Sequence, residues 1–294
     1  MKKLFYLLLS LTCGTVTVNA EPTDAATVQS PTVDEMMSIT RDSRSGLLIM
    51  TAMVANTPMR MILDTGATHT ILHKNSVSKI KKGIYKIDTS LMKFESNTQQ
   101  RPEMIVGNLL VGPGLSPQHP IVVLDLSSVR SMMGEDIDGI VGMDVLGSLP
   151  FTFDLQKGEF YWGTPEDAAL TPLRGKMERG GRMMVQATCG GKEIKMLLDT
   201  GSAVTRVNAP DWAPGEGQEI MARLGNVDNT KQQRMVEGAA GDLEIAEGVT
   251  LKGVTPLMDE PGHSVLLGLD ALKDSALIHL PTEQSPYGQF FIAR

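Results

Sequence analysis

With 294 residues the chain is long enough for two domains that each bury a core. Its formal net charge of −7, with Lys79, Lys81 and Lys82 as the only short basic cluster, excludes a nucleic-acid partner, which needs clustered Lys and Arg. Of the two cysteines, Cys13 falls in a leader, so Cys189 remains alone and an internal disulfide is excluded.

The leader is residues 1–20. Lys2 and Lys3 precede the apolar block Leu4–Leu11, and Val18-Asn19-Ala20 fits a small-x-small cleavage site. That block is too short to span a bilayer, and no later stretch is long and apolar enough to do so. The mature protein is therefore expected to be exported, to a bacterial periplasm or beyond, without a transmembrane segment. Residues 21–45 are polar and read as a flexible lead-in.

From Gly46 onward the sequence is written twice. Gly46–Ala52 aligns with Gly181–Ala187, and the turn Ala55-Asn56-Thr57-Pro58 with Gly190-Gly191-Lys192. The apolar run Met59–Leu63 then matches Ile194–Leu198, and each run drives into Asp-Thr-Gly: Asp64-Thr65-Gly66-Ala67 and Asp199-Thr200-Gly201-Ser202. The same spacing of 18 residues separates Gly46 from Asp64 and Gly181 from Asp199, so no gap is needed. The pattern predicts a β-hairpin whose second strand ends in the motif. Downstream, Ser96–Arg101 resembles Asp228–Arg234, and both are expected at hairpin tips. Each copy closes on a second signature, Asp138–Leu146 and Ser264–Leu272, with Asp144 and Asp270 in the first turn of a short apolar helix, where an acid complements the helix dipole. A last strand follows in each, Phe151–Leu155 and Leu277–Leu280. The expected organisation is a first lobe over 46–163, a linker over 164–180 and a second lobe over 181–294, mostly β.

The doubled apolar-Asp-Thr-Gly motif, with its doubled apolar-Gly-x-Asp partner, resembles aspartic proteases of the retropepsin and pepsin type. That resemblance implies two homologous β-barrel lobes with the active site in the cleft between them. Asp64 and Asp199 are then the catalytic pair, one from each lobe. Thr65 and Thr200 lock the two loops together, while Gly66 and Gly201 leave room for the carboxyls. Ala67 and Ser202 differ, and a Ser202 hydroxyl on Asp199 would favour its ionised form. Asn97, Thr98 and Gln99, with Asn229, Thr230 and Lys231, are the expected flaps over the substrate. The substrate is a protein or peptide bound extended in the cleft. Both halves lie in one chain, so a monomer suffices, and neither metal nor organic cofactor is implied. Neither flap carries the Tyr of pepsins, which makes the retropepsin-like half the nearer pattern. The contrasting reading is a peptide-binding or scaffold protein of the same fold that does not cut.

Other motifs carry less. His69 and His73 are four apart on a strand, where that spacing does not put both on one face, and no zinc-binding helix surrounds them. Cys189 sits in the predicted turn before Gly190-Gly191 and is expected to be a packed or plainly exposed thiol.

Overall fold

The computed structural model describes residues 39–89, 98–112, 114–134, 136–166, 168–226, 228–282 and 285–293. The leader with Cys13, most of the polar lead-in and Asn97 lie outside the described residues.

The duplicated hairpin folds as its pattern predicts. Leu48–Val54 pairs antiparallel with Thr57–Leu63, and Met183–Cys189 with Lys192–Leu198. The registers repeat: Ile49 faces Ile62 in one copy and Met184 faces Leu197 in the other. Both turns are two-residue turns with positive φ, at Ala55 (45°) and Asn56 (66°) and at Gly190 (55°) and Gly191 (80°). This twist matches that of the flanking strands. Cys189 is the last strand residue rather than part of the turn, and it is buried.

Each motif strand then receives a parallel neighbour from the second signature. Thr57–Leu63 pairs with Gly139–Val141, and Lys192–Leu198 with Leu266–Leu267. The strand after each motif, Ile71–His73 or Arg206–Asn208, pairs parallel with Gly114–Leu124 or Leu257–Asp259. The first half thereby builds an eight-stranded sheet, whose strand Leu48–Val54 also pairs with Glu103–Val111. In the second half the long hairpin strand is broken between Thr230–Gly238 and Gly241–Ala246, and the matching closure shrinks to the single pair Thr188 and Glu244. Trp212 fills the break and donates from Nε1 to the Ala239 carbonyl at 2.8 Å. The architecture is thus mostly β, in two lobes that share the motif hairpin, the strand after it and the second-signature strand and helix.

Three expectations change. The lead-in does not extend to residue 45, because Thr40–Arg41 pairs with Leu48–Val54 and buried Asp42 accepts from the Ser45 N–H and hydroxyl. The span 164–180 is not a bare linker, since it contributes the strands Thr171–Pro172 and Gly175–Met177. The last strands of the two halves also pair with each other: Phe151–Asp154 lies antiparallel to Ala276–Thr282, with Phe153 against Leu277. They form one five-stranded sheet spanning both lobes, and Phe151, Phe153 and Phe290 are fully buried in it. Burying three such rings contributes roughly 5–9 kcal/mol of hydrophobic stabilisation and ties the lobes together without a disulfide. From the basic cluster, Lys79 donates to the buried carboxylate of Asp138 at 2.6 Å while its side chain stays about half exposed.

Candidate active site

The two Asp-Thr-Gly loops meet at the seam between the lobes and hold each other reciprocally. The Thr65 hydroxyl donates to the Leu198 carbonyl at 3.0 Å and accepts from the Thr200 N–H at 3.1 Å. The Thr200 hydroxyl donates to the Leu63 carbonyl at 2.9 Å and accepts from the Thr65 N–H at 3.0 Å. Four hydrogen bonds related by an approximate two-fold axis therefore join residues 133 to 137 positions apart. All are buried, so none competes with water.

This lock brings the two carboxyls together. A Cβ on Gly66 would stand 2.7 Å from Asp199 Cγ, and a Cβ on Gly201 would overlap the Asp64 carboxyl. Any side chain at either position would push the carboxyls apart. Asp64 and Asp199 are both fully buried, and each carboxyl lies against the glycine of the opposite loop. Two carboxyls buried together in this way cannot both ionise, so the pair shares a proton.

The pair is not symmetric. Asp64 Oδ1 accepts from the Gly66 N–H at 2.7 Å and the Ala67 N–H at 3.0 Å. Asp64 Oδ2 and both Asp199 oxygens are buried and receive no protein hydrogen bond of good geometry among the described residues. Burial raises the Asp64 pKa to about 6, opposed by the Gly66 N–H. Burial also drives Asp199 well above the usual carboxylate range, with the Asp64 charge adding to it. The two backbone N–H groups favour charge on Asp64, while the shared proton belongs to the pair. Ser202 does not reverse this, because its hydroxyl donates to the Val204 carbonyl at 2.8 Å. Its expected role in ionising Asp199 is not what the geometry gives.

The second signature buttresses each loop from behind. Asp144 accepts from the Thr70 N–H (2.9 Å) and hydroxyl (2.8 Å), and Asp270 from the Thr205 N–H and hydroxyl (both 2.7 Å). The threonine oxygens in turn accept from the Gly142 and Gly268 N–H groups, both at 3.2 Å. These aspartates sit in the first helical turn, as expected, but Gly142 and Gly268 are the N-caps and make no side-chain cap. Their main partners are the strands following the motifs. The repeat carried this signal, since Thr70 and Thr205 follow their motif aspartates at the same interval. His69 and His73 also part: His69 Nδ1 meets the Thr68 hydroxyl at 2.8 Å, while buried His73 accepts from the Leu126 N–H at 2.9 Å.

The expected flaps do come together. Asp228, at the tip of the hairpin Glu216–Gly225/Thr230–Gly238, accepts from the Thr98 hydroxyl, from the Gln99 N–H at 3.0 Å and from Gln100 Nε2 at 3.3 Å. Asn229 lies at that tip, whereas Thr230 and Lys231 are already strand residues. Asp228 and Gln100 were not picked out as site residues, because a polar run alone does not reveal which residue crosses between lobes. A cavity of about 1090 Å³ runs along this hairpin from Asn226 and Asn229 to Arg206, Met258 and Asp259. Its lining includes neither carboxyl, so the chemistry is located by the aspartate pair and not by this cavity.

Residues 50–145 match the family profile described as Aspartyl protease. Among solved structures the chain is similar to the crystal structure of basic 7S globulin from soybean, at 12% identity and a TM-score of 0.48, covering 87% of this chain and 93% of that one. No curated protein sequence matches. The matched span holds the first Asp-Thr-Gly loop and most of the second signature of the first half.

Proposed function

We propose that this protein is an aspartic endopeptidase whose catalytic pair is Asp64 and Asp199. The observation that carries the reading is the reciprocal threonine lock that seats two fully buried carboxyls, one from each lobe, against each other's loops. Two such groups holding one proton supply a base and an acid at one point. The ionised Asp64 takes a proton from water as its oxygen attacks the scissile carbonyl carbon. Asp199 gives its proton to the carbonyl oxygen, forming a tetrahedral diol. On collapse the C–N bond breaks, the leaving nitrogen takes the proton held on Asp64, and a diol hydroxyl returns its proton to Asp199, so one proton remains on the pair.

The substrate in this reading is an extended protein or peptide segment that pairs with hairpin backbone as an added strand. One chain supplies both halves, so the active form is a monomer, and it works outside the cytoplasm. The raised pKa of Asp64 supports activity that reaches from mild acid towards neutrality, by burial rather than through Ser202. The experiment is cleavage of an unfolded protein by the wild type, Asp64→Asn and Asp199→Asn, with and without pepstatin. Turnover lost in both variants and blocked by pepstatin is the expected result, whereas equal turnover in all three proteins overturns the reading.

The second reading, a peptide-binding protein that does not cut, is favoured by one observation: both carboxyls have zero exposure. Binding of an unstructured peptide without cleavage, unchanged in either Asn variant, would select it.

A further inference from the structure

The two second signatures hold their aspartates in the same place but surround them differently. In the first lobe Asp144 meets, besides Thr70, the ring of His119, whose Nε2 lies 3.0 Å from Asp144 Oδ2. His69 stands close enough that the charges of Asp144 and His119 both act on it. The His119 and Asp144 side chains are largely buried.

Strand register locates the counterparts in the second lobe. His119 lies three residues before Val122, which pairs with Ile71, and Val254 lies three residues before Leu257, which pairs with Arg206. His69 precedes Thr70 as Val204 precedes Thr205. Both histidines are therefore valines in the second lobe. A cavity of about 470 Å³ lies there, lined by Val204, Val254, Thr255 and Asp270 among others. Its carboxylate is served on one side only. The Thr205 N–H and hydroxyl (both 2.7 Å) and the Ala271 N–H (2.8 Å) all donate to Asp270 Oδ1. Oδ2 accepts from no other residue with good geometry among the described residues. Burial pushes the Asp270 carboxyl above its usual range, a shift that a cation at Oδ2 would offset. The remaining charges of the lining are mixed: Glu237 and Asp274 against Lys273 and Lys252, the last tied to Asp242 at 2.6 Å.

We propose that this cavity is a binding site for a small organic cation of the imidazolium type, which completes Asp270 as His119 completes Asp144. The carboxylate takes an N–H and the charge, and the two valines take the ring. The site reaches the Asp199 loop from behind. Asp270 holds Thr205, the Thr205 oxygen accepts from the Gly268 N–H, and the Leu269 N–H donates to the Ser202 carbonyl at 2.9 Å. A bound cation therefore steadies the strand and turn that support Asp199.

The site stands on the repeat and not on the protease reading, so its test needs no cleavage. Amide NMR spectra of the wild type, Val254→His and Val254→Phe are followed during titration with imidazole at pH 6, where the imidazolium form prevails. Pyrazole is the uncharged isostere, and sodium chloride at equal ionic strength is the salt control. In the wild type imidazole should give saturable shifts at Thr205, Val254 and Ala271, with a Kd on the order of millimolar for so small a ligand. Pyrazole should bind at least about tenfold more weakly, because it brings no charge to the carboxylate. Thr70 and Asp144 should move no more than in salt, since His119 already occupies that place. Val254→His and Val254→Phe each fill the cavity and should lose the imidazole response while the spectrum elsewhere stays that of the wild type. No saturable response in the wild type overturns the site, whether or not the protein cuts peptides. So does a response to pyrazole of equal strength, or one to imidazole that persists in both variants.

Discussion

The two halves of this chain run the same backbone through different side chains, and the differences fall where the chemistry would need them. In both, a hairpin drives Asp-Thr-Gly into the seam, a threonine crosses to the opposite loop, and an aspartate in a short helix ties down the following strand. These shared contacts build the frame. The halves diverge in how they treat their aspartates: Asp64 accepts two backbone N–H groups, while both Asp199 oxygens lack a donor of comparable geometry. They diverge again one layer out. Ile71 and Leu124 of the first half are buried apolar residues, whereas their counterparts Arg206 and Asp259 form an ion pair at the edge of the cavity. The shared contacts are therefore assigned to assembly and the unshared ones to function.

The largest expected effect falls on the aspartates. Asp64→Asn and Asp199→Asn should each lower kcat by roughly 10²–10⁴-fold, the range for loss of a positioned acid or base. Because the pair acts as a unit, loss of either group is enough. Full activity in either variant would mean that the halves are not chemically joined.

Next come the crossing threonines. Thr65→Ala removes a donor to Leu198 and an acceptor for Thr200, leaving two buried backbone groups unpaired, and Thr200→Ala does the same in reverse. Each should cost about 2–4 kcal/mol. If the two-fold frame is real, urea unfolding should give the same loss for both. A large difference between them would break the comparison at its base.

The ion pair sharpens it. Arg206→Leu alone strands the Asp259 charge and should destabilise by roughly 3–5 kcal/mol. Arg206→Leu with Asp259→Leu restores the apolar pairing of the first half and should be neutral or mildly stabilising. Thermal unfolding of the single and double variants checks this. Equal destabilisation in both would show that the pair holds the second lobe together.

The pH dependence comes from the buried carboxyls. Their folded pKa values lie above the unfolded value, so the folded state keeps protons that the unfolded chain has already released. Stability from this pair is fully present below pH about 4 and falls as pH rises through the folded values, starting near 6 for Asp64. The loss should be on the order of a few kcal/mol, measured by urea unfolding at pH 4 and pH 7, and Asp199→Asn should reduce it. The smallest expected effect is that of Ser202→Ala, under about 1 kcal/mol, with no displacement of the pH-rate profile, because its hydroxyl serves Val204.

Much of this frame was legible because it is repeated. Spacing alone placed both hairpins, both motif loops and both second signatures, and the strand registers follow it residue for residue. What does not repeat was harder to read. The pairing of Phe151–Asp154 with Ala276–Thr282 joins strands that each looked terminal, and nothing local in either says which partner it takes. The crossing of Asp228 to Thr98 depends on the trajectory of a hairpin, which composition does not fix. The asymmetry of the carboxyls was misread through Ser202, because a hydroxyl's single hydrogen goes to whichever acceptor the fold presents. Repeats report backbone geometry well, whereas hydrogen-bond choice at a seam depends on contacts made only after folding.

The most direct test of the central claim is a carboxyl ¹³C NMR titration of aspartate-labelled protein, with Asp64→Asn and Asp199→Asn as assignment controls. The account predicts two linked steps, both above the ordinary aspartate range, with removal of either residue shifting the titration of the other. Two independent titrations near pH 4, each unaffected by loss of its partner, would contradict it.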